Sequence, residues 1–165
     1  IYVPAGNTVT ISGATGNETL SGGGVTRHFP VYGGLNVESL TLRDGFTGTG
    51  STCIHEGDGG SVYLDHGDTS TSSFSDCIFI SNQASNGGGA IQVAGTDGVH
   101  ISGCDFEENT SGNQWTGSNG DNVRVNGGSV ECDDTCSTVG KTGDCAAMEA
   151  DTECSGCTCY SCACT

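Results

Sequence analysis

A short pattern that returns at a fixed spacing constrains this chain more than any other feature. Segment 77–82 (CIFISN) recurs as segment 104–109 (CDFEEN). The matching Cys, Phe and Asn positions each lie 27 residues apart, since 104 minus 77, 106 minus 79 and 109 minus 82 all give 27. One turn of a β-solenoid is about that long, so the repeat predicts units that stack on one another.

A second strand-like segment follows each copy of the repeat after a Gly-rich turn. These segments are 88–93 (GGAIQV) and 120–125 (GDNVRV). A more diverged earlier unit aligns as segment 40–45 (LTLRDG) followed by 59–64 (GGSVYL). Further alternating segments at 8–13 and 29–34 predict strands near the start of the chain.

Alternation along these strands assigns their two faces. Residues two apart share a face, so the apolar members of each unit should stack on their equivalents in the next. Asp105 and Glu107 then fall on the solvent side. The residues predicted to lie in the core are Leu42, Phe79, Ile91, Phe106 and Val123.

Asn82 and Asn109 occupy matching positions just after two of these strands. Asparagine tolerates the left-handed conformation of a tight corner, and stacked amides can hydrogen bond to each other along the stack. We therefore expect the two side chains to form an asparagine ladder.

The motifs resemble a known family. Phe-x-x-Asn, at 79–82 and 106–109, together with Gly-Gly-Ala-Ile at 88–91, is similar to the repeat of polymorphic outer-membrane proteins and related surface adhesins. Those proteins belong to the pectin-lyase-like superfamily. The resemblance implies an all-β fold, a right-handed parallel β-helix (solenoid) over residues 1–130. Residues 131–165 would then form a separate cysteine-rich cap or linking segment.

The cysteines indicate an oxidising compartment. The chain has 11, and eight of them lie in the last 34 residues. Such density favours a secreted, extracellular protein with a disulfide-rich C-terminal segment. The residues predicted to form disulfides are Cys132, Cys136, Cys145, Cys154, Cys157, Cys159, Cys162 and Cys164. The spacing does not assign their connectivity.

Zinc is an alternative for part of this segment, because Cys154-x-x-Cys157 and Cys159-x-x-Cys162 have local ligand spacing. The crowded cysteines and the lack of a well-spaced histidine favour disulfides instead. An odd count leaves one thiol free or bonded to another chain, and Cys53, in a loop insertion, is the first candidate for an intermolecular bond. Cys77 and Cys104, in adjacent units, could bond to each other or stay reduced.

Two sequons predict N-linked glycans at Asn17 and Asn109. The prediction for Asn109 conflicts with the asparagine ladder, since an amide buried in the ladder cannot carry a sugar. Unmodified Asn109 would favour the ladder.

The charge excludes several partners. With four basic and 20 acidic residues, the net charge of -16 leaves no basic surface for nucleic acid or an anionic membrane. Asp133 and Asp134 could bind calcium, but two adjacent carboxylates fall short of a coordination set. The sequence predicts no metal site and no cofactor.

Many pectin-lyase-like proteins cleave acidic polysaccharides, but this chain lacks the groups such a reaction needs. Its arginines are scattered, its one lysine lies in the C-terminal segment, and no paired catalytic carboxylates stand out. The best cluster combines 55–58 (HEGD) with 65–68 (DHGD). A solvated acidic turn explains it more simply, so we expect no enzyme.

The leading functional expectation is an extracellular structural subunit of a fibril, surface appendage or coat. Subunits would join end to end, with the cysteine-rich segment of one against the N-terminal units of the next. The alternatives are a surface adhesin or carbohydrate-binding module, for which Tyr32, Tyr63 and Trp115 are the available aromatic residues, and a polysaccharide-active enzyme.

Overall fold

A computed structural model describes residues 1–48, 57–67, 70–112, 122–132 and 157–159. Within these ranges the chain forms fifteen β-strands and no helix. Every strand pairing is parallel. The predicted all-β class is therefore confirmed for the described residues, and it agrees with a composition rich in Gly and poor in helix-forming runs.

The strands form three parallel sheets. Sheet 1 has the order β1 (Thr8–Ser12), β4 (Gly34–Glu38), β8 (Ser72–Ser75), β11 (Ile91–Ser102), β14 (Val123–Cys132) and β15 (Cys157–Cys159), and it also contains β3 (Phe29–Val31) and β7 (Val62–Leu64). Sheet 2 consists of β2 (Glu18–Ser21), β5 (Leu40–Arg43), β9 (Ile78–Ile80) and β12 (Asp105–Glu107). Sheet 3 consists of β6 (Phe46–Thr47), β10 (Gln83–Ala84) and β13 (Thr110–Ser111). From β3 to β14 the chain visits sheets 1, 2 and 3 repeatedly in that order.

The register confirms the alignment of the repeats. Phe79 pairs with Phe106, at the predicted distance of 27 residues, and Leu42 pairs with Phe79 in the unit before. The Gly-rich segments align as predicted too, because Ile91 pairs with Val62 on one side and with Val123 on the other. Each unit thus lies on the previous one with its strands in matching positions.

The core is a set of stacked side chains between the sheets. The rings of Phe79 and Phe106 are parallel to within 6°, with centroids 5.0 Å apart, and Phe74 of sheet 1 meets the edge of Phe79 at 5.7 Å. Leu42, Phe79 and Ile91 are fully buried, and Val123 nearly so. Phe106 packs against the same core as predicted but is only partly buried, and among the described residues β12 is the last strand of sheet 2.

Sharp corners at both ends of the sheet 2 strands define the shape of each unit. Five non-glycine residues there have φ between 52° and 55°: Ser39, Asp44, Asp76, Ser81 and Glu108. A left-handed conformation costs an L-residue roughly 1–2 kcal/mol, so these corners are maintained by the surrounding hydrogen bonds and packing.

The asparagine ladder occupies the corner between sheets 2 and 3. The Asn82 side chain is buried, and its Oδ1 accepts the amide hydrogen of Gly45 at 2.8 Å. Its Nδ2 donates to the carbonyl of Leu42 and to Oδ1 of Asn109, each at 3.0 Å. One amide therefore joins three successive repeat units.

Asn109 repeats these contacts one unit later. Its Nδ2 donates to the carbonyl of Phe79, the register partner of Leu42, and to Oδ1 of Asn122. Its Oδ1 also accepts the backbone N–H of Asn82 at 3.0 Å. The predicted ladder is confirmed, and it links the backbone of each unit to the next. The left-handed corner residues are Ser81 and Glu108, each just before the asparagine, and not the asparagines themselves.

Removing the amide of Asn82 should destabilise the protein. Asn82→Ala leaves the buried Gly45 amide and the Leu42 carbonyl without their side-chain partner, and each such loss costs about 1–3 kcal/mol. We expect a fall of at least about 2 kcal/mol in the free energy of unfolding, measured in urea. Asn36→Ala is the matched control, because its partly exposed amide accepts a hydrogen bond from the half-exposed side of β8, at Ser73, and its loss should cost less than about 1 kcal/mol.

A glycine at a left-handed corner should stabilise the protein. In Glu108→Gly the residue at φ 53° loses its steric penalty, and we expect a gain of up to about 1 kcal/mol in urea unfolding. Glu107→Gly, inside β12, is the control and should cost about 0.5–1 kcal/mol, since glycine weakens a strand. Equal losses in the two variants would contradict the idea that the corner is strained.

Candidate functional site

The first strands of sheets 1 and 2 form an open edge. We call β1, β2 and the bridging residue Val3 the N-terminal edge. β1 pairs only with β4 and β2 only with β5, so one side of each strand has no strand partner among the described residues. Unpaired strand edges are templates for another strand.

Apolar core positions are also incompletely covered at this edge. Val9 and Ile11 in β1 and Leu20 in β2 are only partly buried, although their side chains pack against the core. Their register partners one unit later, Leu35, Val37 and Leu42, are buried to within 1%. The edge is therefore an unfinished layer of the same core, exposing both apolar surface and backbone hydrogen-bonding groups.

A row of three tyrosines lies near this edge on sheet 1. The ring centroids of Tyr2 and Tyr32 are 5.7 Å apart, and those of Tyr32 and Tyr63 are 6.5 Å apart. The guanidinium of Arg27 lies 5.2 Å from the centroid of the Tyr63 ring. Tyr2 is 61% exposed and Tyr32 partly exposed, whereas Tyr63 is buried, so two of the three rings reach solvent.

Backbone carbonyls hold Arg27 in place over Tyr63. Its Nε donates to the carbonyl of Gly59 at 2.8 Å, and a terminal nitrogen donates to the carbonyl of Asp58. The hydroxyl of Tyr63 donates to the Asp65 carboxylate at 3.4 Å. Burial, reinforced by the Asp65 charge, raises the pKa of Tyr63 well above its usual range, so this tyrosine is a neutral hydrogen-bond donor.

The predicted cluster at 55–58 and 65–68 is described only in part. His55, Glu56 and Asp68 lie outside the described residues. The interpretation as a solvated turn is wrong for His66, which is buried. Its Nε2 lies 3.1 Å from the Ser72 hydroxyl and its backbone N–H donates to Thr96 Oγ1, so it connects neighbouring segments of sheet 1.

His28 has a similar structural environment. Its Nδ1 lies 3.0 Å from the Ser61 hydroxyl, and both side chains are buried. Burial lowers the pKa of His28, which favours the neutral ring. In the part of the chain that the structure describes, no group of three or more His, Cys, Asp and Glu side chains could hold a metal ion.

The predicted glycosylation sites differ in accessibility. Asn17 is exposed in the turn between β1 and β2, next to Glu18. The Glu18 carboxylate accepts hydrogen bonds from Thr15, and the backbone N–H of Thr15 is the main cause that lowers its pKa. Asn109 instead contributes both its Oδ1 and its Nδ2 to the ladder.

Much of the cysteine prediction falls outside the described residues. Cys53, Cys136, Cys145, Cys154, Cys162 and Cys164 lie there, as do Trp115, Asp133 and Asp134. Cys132 is buried at the end of β14, and its backbone pairs in register with Cys159 of β15, while Cys157 pairs with Val130. The disulfide assignments stay predictions.

No protein-family model, curated protein or solved structure matches this chain. The resemblance to surface-adhesin repeats therefore stays a prediction.

Across the described ranges, no helical segment has the length and hydropathy needed to cross a membrane.

We expect Asn109 to be unmodified in the folded protein. A sugar on Nδ2 would replace a hydrogen that is donated to Phe79 or Asn122 and would require space inside the corner. Peptide mass spectrometry of material secreted from a glycosylating host should show unmodified Asn109, with Asn17 serving as the accessible internal comparison. Full occupancy at Asn109 would contradict the ladder geometry.

Proposed function

We propose that the chain is an extracellular structural subunit of a fibril, surface appendage or coat. In this proposal the three sheets are the faces of a right-handed parallel β-helix, and subunits join end to end. The N-terminal edge is the observation that carries the proposal, because it combines unpaired strand edges with the partly buried core residues Val9, Ile11 and Leu20.

The repeated order of the sheets supports the β-helix. The chain returns to the same sheet in parallel register once per unit, as a β-helix circling its core would do, and parallel crossovers are right-handed in roughly 98% of cases. A β-helix of this kind has two unlike ends. A contact between unlike ends does not close on itself and so generates a filament.

In sheet 2, Leu20, Leu42, Phe79 and Phe106 form one inward column, and its first and last members are partly exposed. In sheet 1 the stack continues past β11 to β14 and β15, so the N-terminal edge of the next subunit would meet the stack beyond these strands. In the proposed junction that contact would cover Val9, Ile11 and Leu20. The cysteine-rich segment would add contacts or a covalent link at this junction, with Cys53 as the first candidate thiol.

Charge should control the strength of this contact. The net charge is -16, and acidic residues lie toward both ends of the stack, including Glu18 in the N-terminal edge and Glu131 in β14. Like charges repel across such a junction, and salt screens them, with a Debye length of about 10 Å at 0.1 M. Assembly should therefore increase as ionic strength rises.

Carbohydrate binding by an adhesin is a second candidate, favoured by the row of Tyr2 and Tyr32. Exposed aromatic faces suit a sugar ring, and the rings of Tyr2 and Tyr32 both reach solvent. Loss of binding to a glycan array on Tyr32→Ala, in a protein that stays monomeric, would favour this function over assembly.

We expect Thr10→Pro to block assembly without unfolding the subunit. The Asn7 carbonyl and the Gly13 N–H both bond to β4, and alternation along a parallel strand then turns the Thr10 N–H toward the open side. Proline there removes a donor for which the described residues supply no backbone acceptor, and proline is tolerated at edge strands. Light scattering and negative-stain images should show filaments for the unchanged chain and monomers for Thr10→Pro.

The control variant is Thr10→Val, which keeps the N–H and should assemble as the unchanged chain does. The measurements should span low to high salt, with and without reductant, because an intermolecular disulfide would make assembly sensitive to reductant. A chain that stays monomeric under all these conditions would reject the structural-subunit proposal.

A further inference from the structure

Cys77 and Cys104 are neighbours across sheet 2, one strand apart. Ile78 pairs with Asp105, so the residues just before them are also opposite each other, and the Asp105 N–H donates to the Cys77 carbonyl at 2.8 Å. Neighbouring strands lie about 4.8 Å apart. The Cα atoms of a disulfide lie roughly 4.4–6.8 Å apart, so the backbone spacing suits a bond.

The two side chains point into the core in the same orientation. The Cys77 sulfur lies 3.3 Å from the carbonyl oxygen of Ser75, and the Cys104 sulfur lies 3.3 Å from that of Ser102. Each sulfur also lies 3.5 Å from a carbonyl of sheet 1, that of Val37 or Phe74. The sulfurs therefore follow one another along the stack, and a hydrogen bond with the Cys104 side chain lowers the pKa of Cys77.

The surroundings would protect a bond once it formed. Cys77 and Cys104 are 0% and 1% exposed, and the same core cluster contains Leu40, Phe74 and Phe79. Leu40 holds the matching position one unit earlier, so this column of core side chains consists of one leucine followed by two cysteines. Reductants in solution reach such a site only when the strands separate.

We propose that Cys77 and Cys104 form an intrachain disulfide when the chain folds in an oxidising environment, joining two consecutive repeat units across the core. The oxidant is a small-molecule disulfide such as oxidised glutathione. The Cys77 thiolate attacks it and releases one glutathione thiolate. The Cys104 thiolate then attacks the Cys77 sulfur of the mixed disulfide and releases the second.

In the net reaction two protein thiols lose two electrons and two protons, and the small disulfide is reduced to two thiols. The sulfur–carbonyl contacts belong to the dithiol form of the folded chain, and in the disulfide each sulfur would turn from its carbonyls toward the other. Because the folded pair is buried, the exchange takes place before β12 closes onto β9. The bond then constrains the segment between the two strands in the unfolded chain, which favours the folded state.

The proposed pair also limits which cysteine lacks an intrachain partner. Of the 11 cysteines, removing this pair leaves nine, namely Cys53 and the eight of the C-terminal segment. The unpaired thiol is then Cys53 or a member of that segment. The inference is independent of the proposed assembly, because it concerns one chain only.

The test counts thiols in the unreduced protein. The full chain is folded with oxidised glutathione, freed of it, unfolded in guanidinium at acidic pH and titrated with a thiol reagent. Cys77→Val keeps the core position apolar and leaves Cys104 without its partner, so the number of reactive thiols should rise by one relative to the unchanged chain. If Cys77 and Cys104 are both thiols in the unchanged chain, the variant simply lacks one of them, and its number of reactive thiols falls by one. Any result other than a rise in this number counts against the proposal.

Peptide mapping of the unchanged chain supplies the test that does not depend on a variant. The peptides containing Cys77 and Cys104 should be found joined, and each should be alkylated only after reduction. Recovery of both as alkylated peptides without reduction, or of either joined to another cysteine, would overturn the assignment.

Discussion

Parallel stacking of each strand on its equivalent one unit earlier is the interaction on which the rest of this structure depends. It pairs the backbone N–H and C=O groups within each sheet, and it places inward side chains in columns such as Leu42, Phe79 and Phe106. At the corner, where the strand bonds end, Asn82 and Asn109 continue the pairing through their side-chain amides. Five non-glycine residues adopt positive φ at such corners because every unit must turn at the same place.

The columns explain which parts of the fold could be predicted from the sequence. Where a side chain stacks on its equivalent in the next unit, the same residue type suits both positions. Phe79 with Phe106 and Asn82 with Asn109 therefore form a repeat that can be recognised in the sequence. The strands of sheet 3 leave none, since they are two residues long and mostly polar. The strands β4 and β8 were not predicted either, because β8 is mostly serine, and its core position Ser72 bonds to the Leu35 N–H and to His66 instead of supplying an apolar side chain.

The tyrosine row illustrates why the site was harder to predict. Pro30, not Tyr32, is the register partner of Tyr63, so Tyr32 is its diagonal neighbour and the two rings do not align in the repeat. Arg27 reaches Tyr63 from a turn before β3, through carbonyls that belong to a later loop. Such contacts depend on the path of the loops, and the 27-residue pattern contains no information about that path. The open edge, in contrast, follows directly from any stack of strands.

Two properties of this chain oppose each other at that edge. Stacking leaves Val9, Ile11 and Leu20 partly uncovered, and the gain from burying them acts over the short distance of a direct contact. The charge of -16 acts over a longer distance and opposes contact between two copies of the chain in dilute salt. The first property changes little with ionic strength, whereas the second weakens as salt is added. If subunits join end to end as proposed, they would stay separate in dilute solution and join where salt or cations screen this charge.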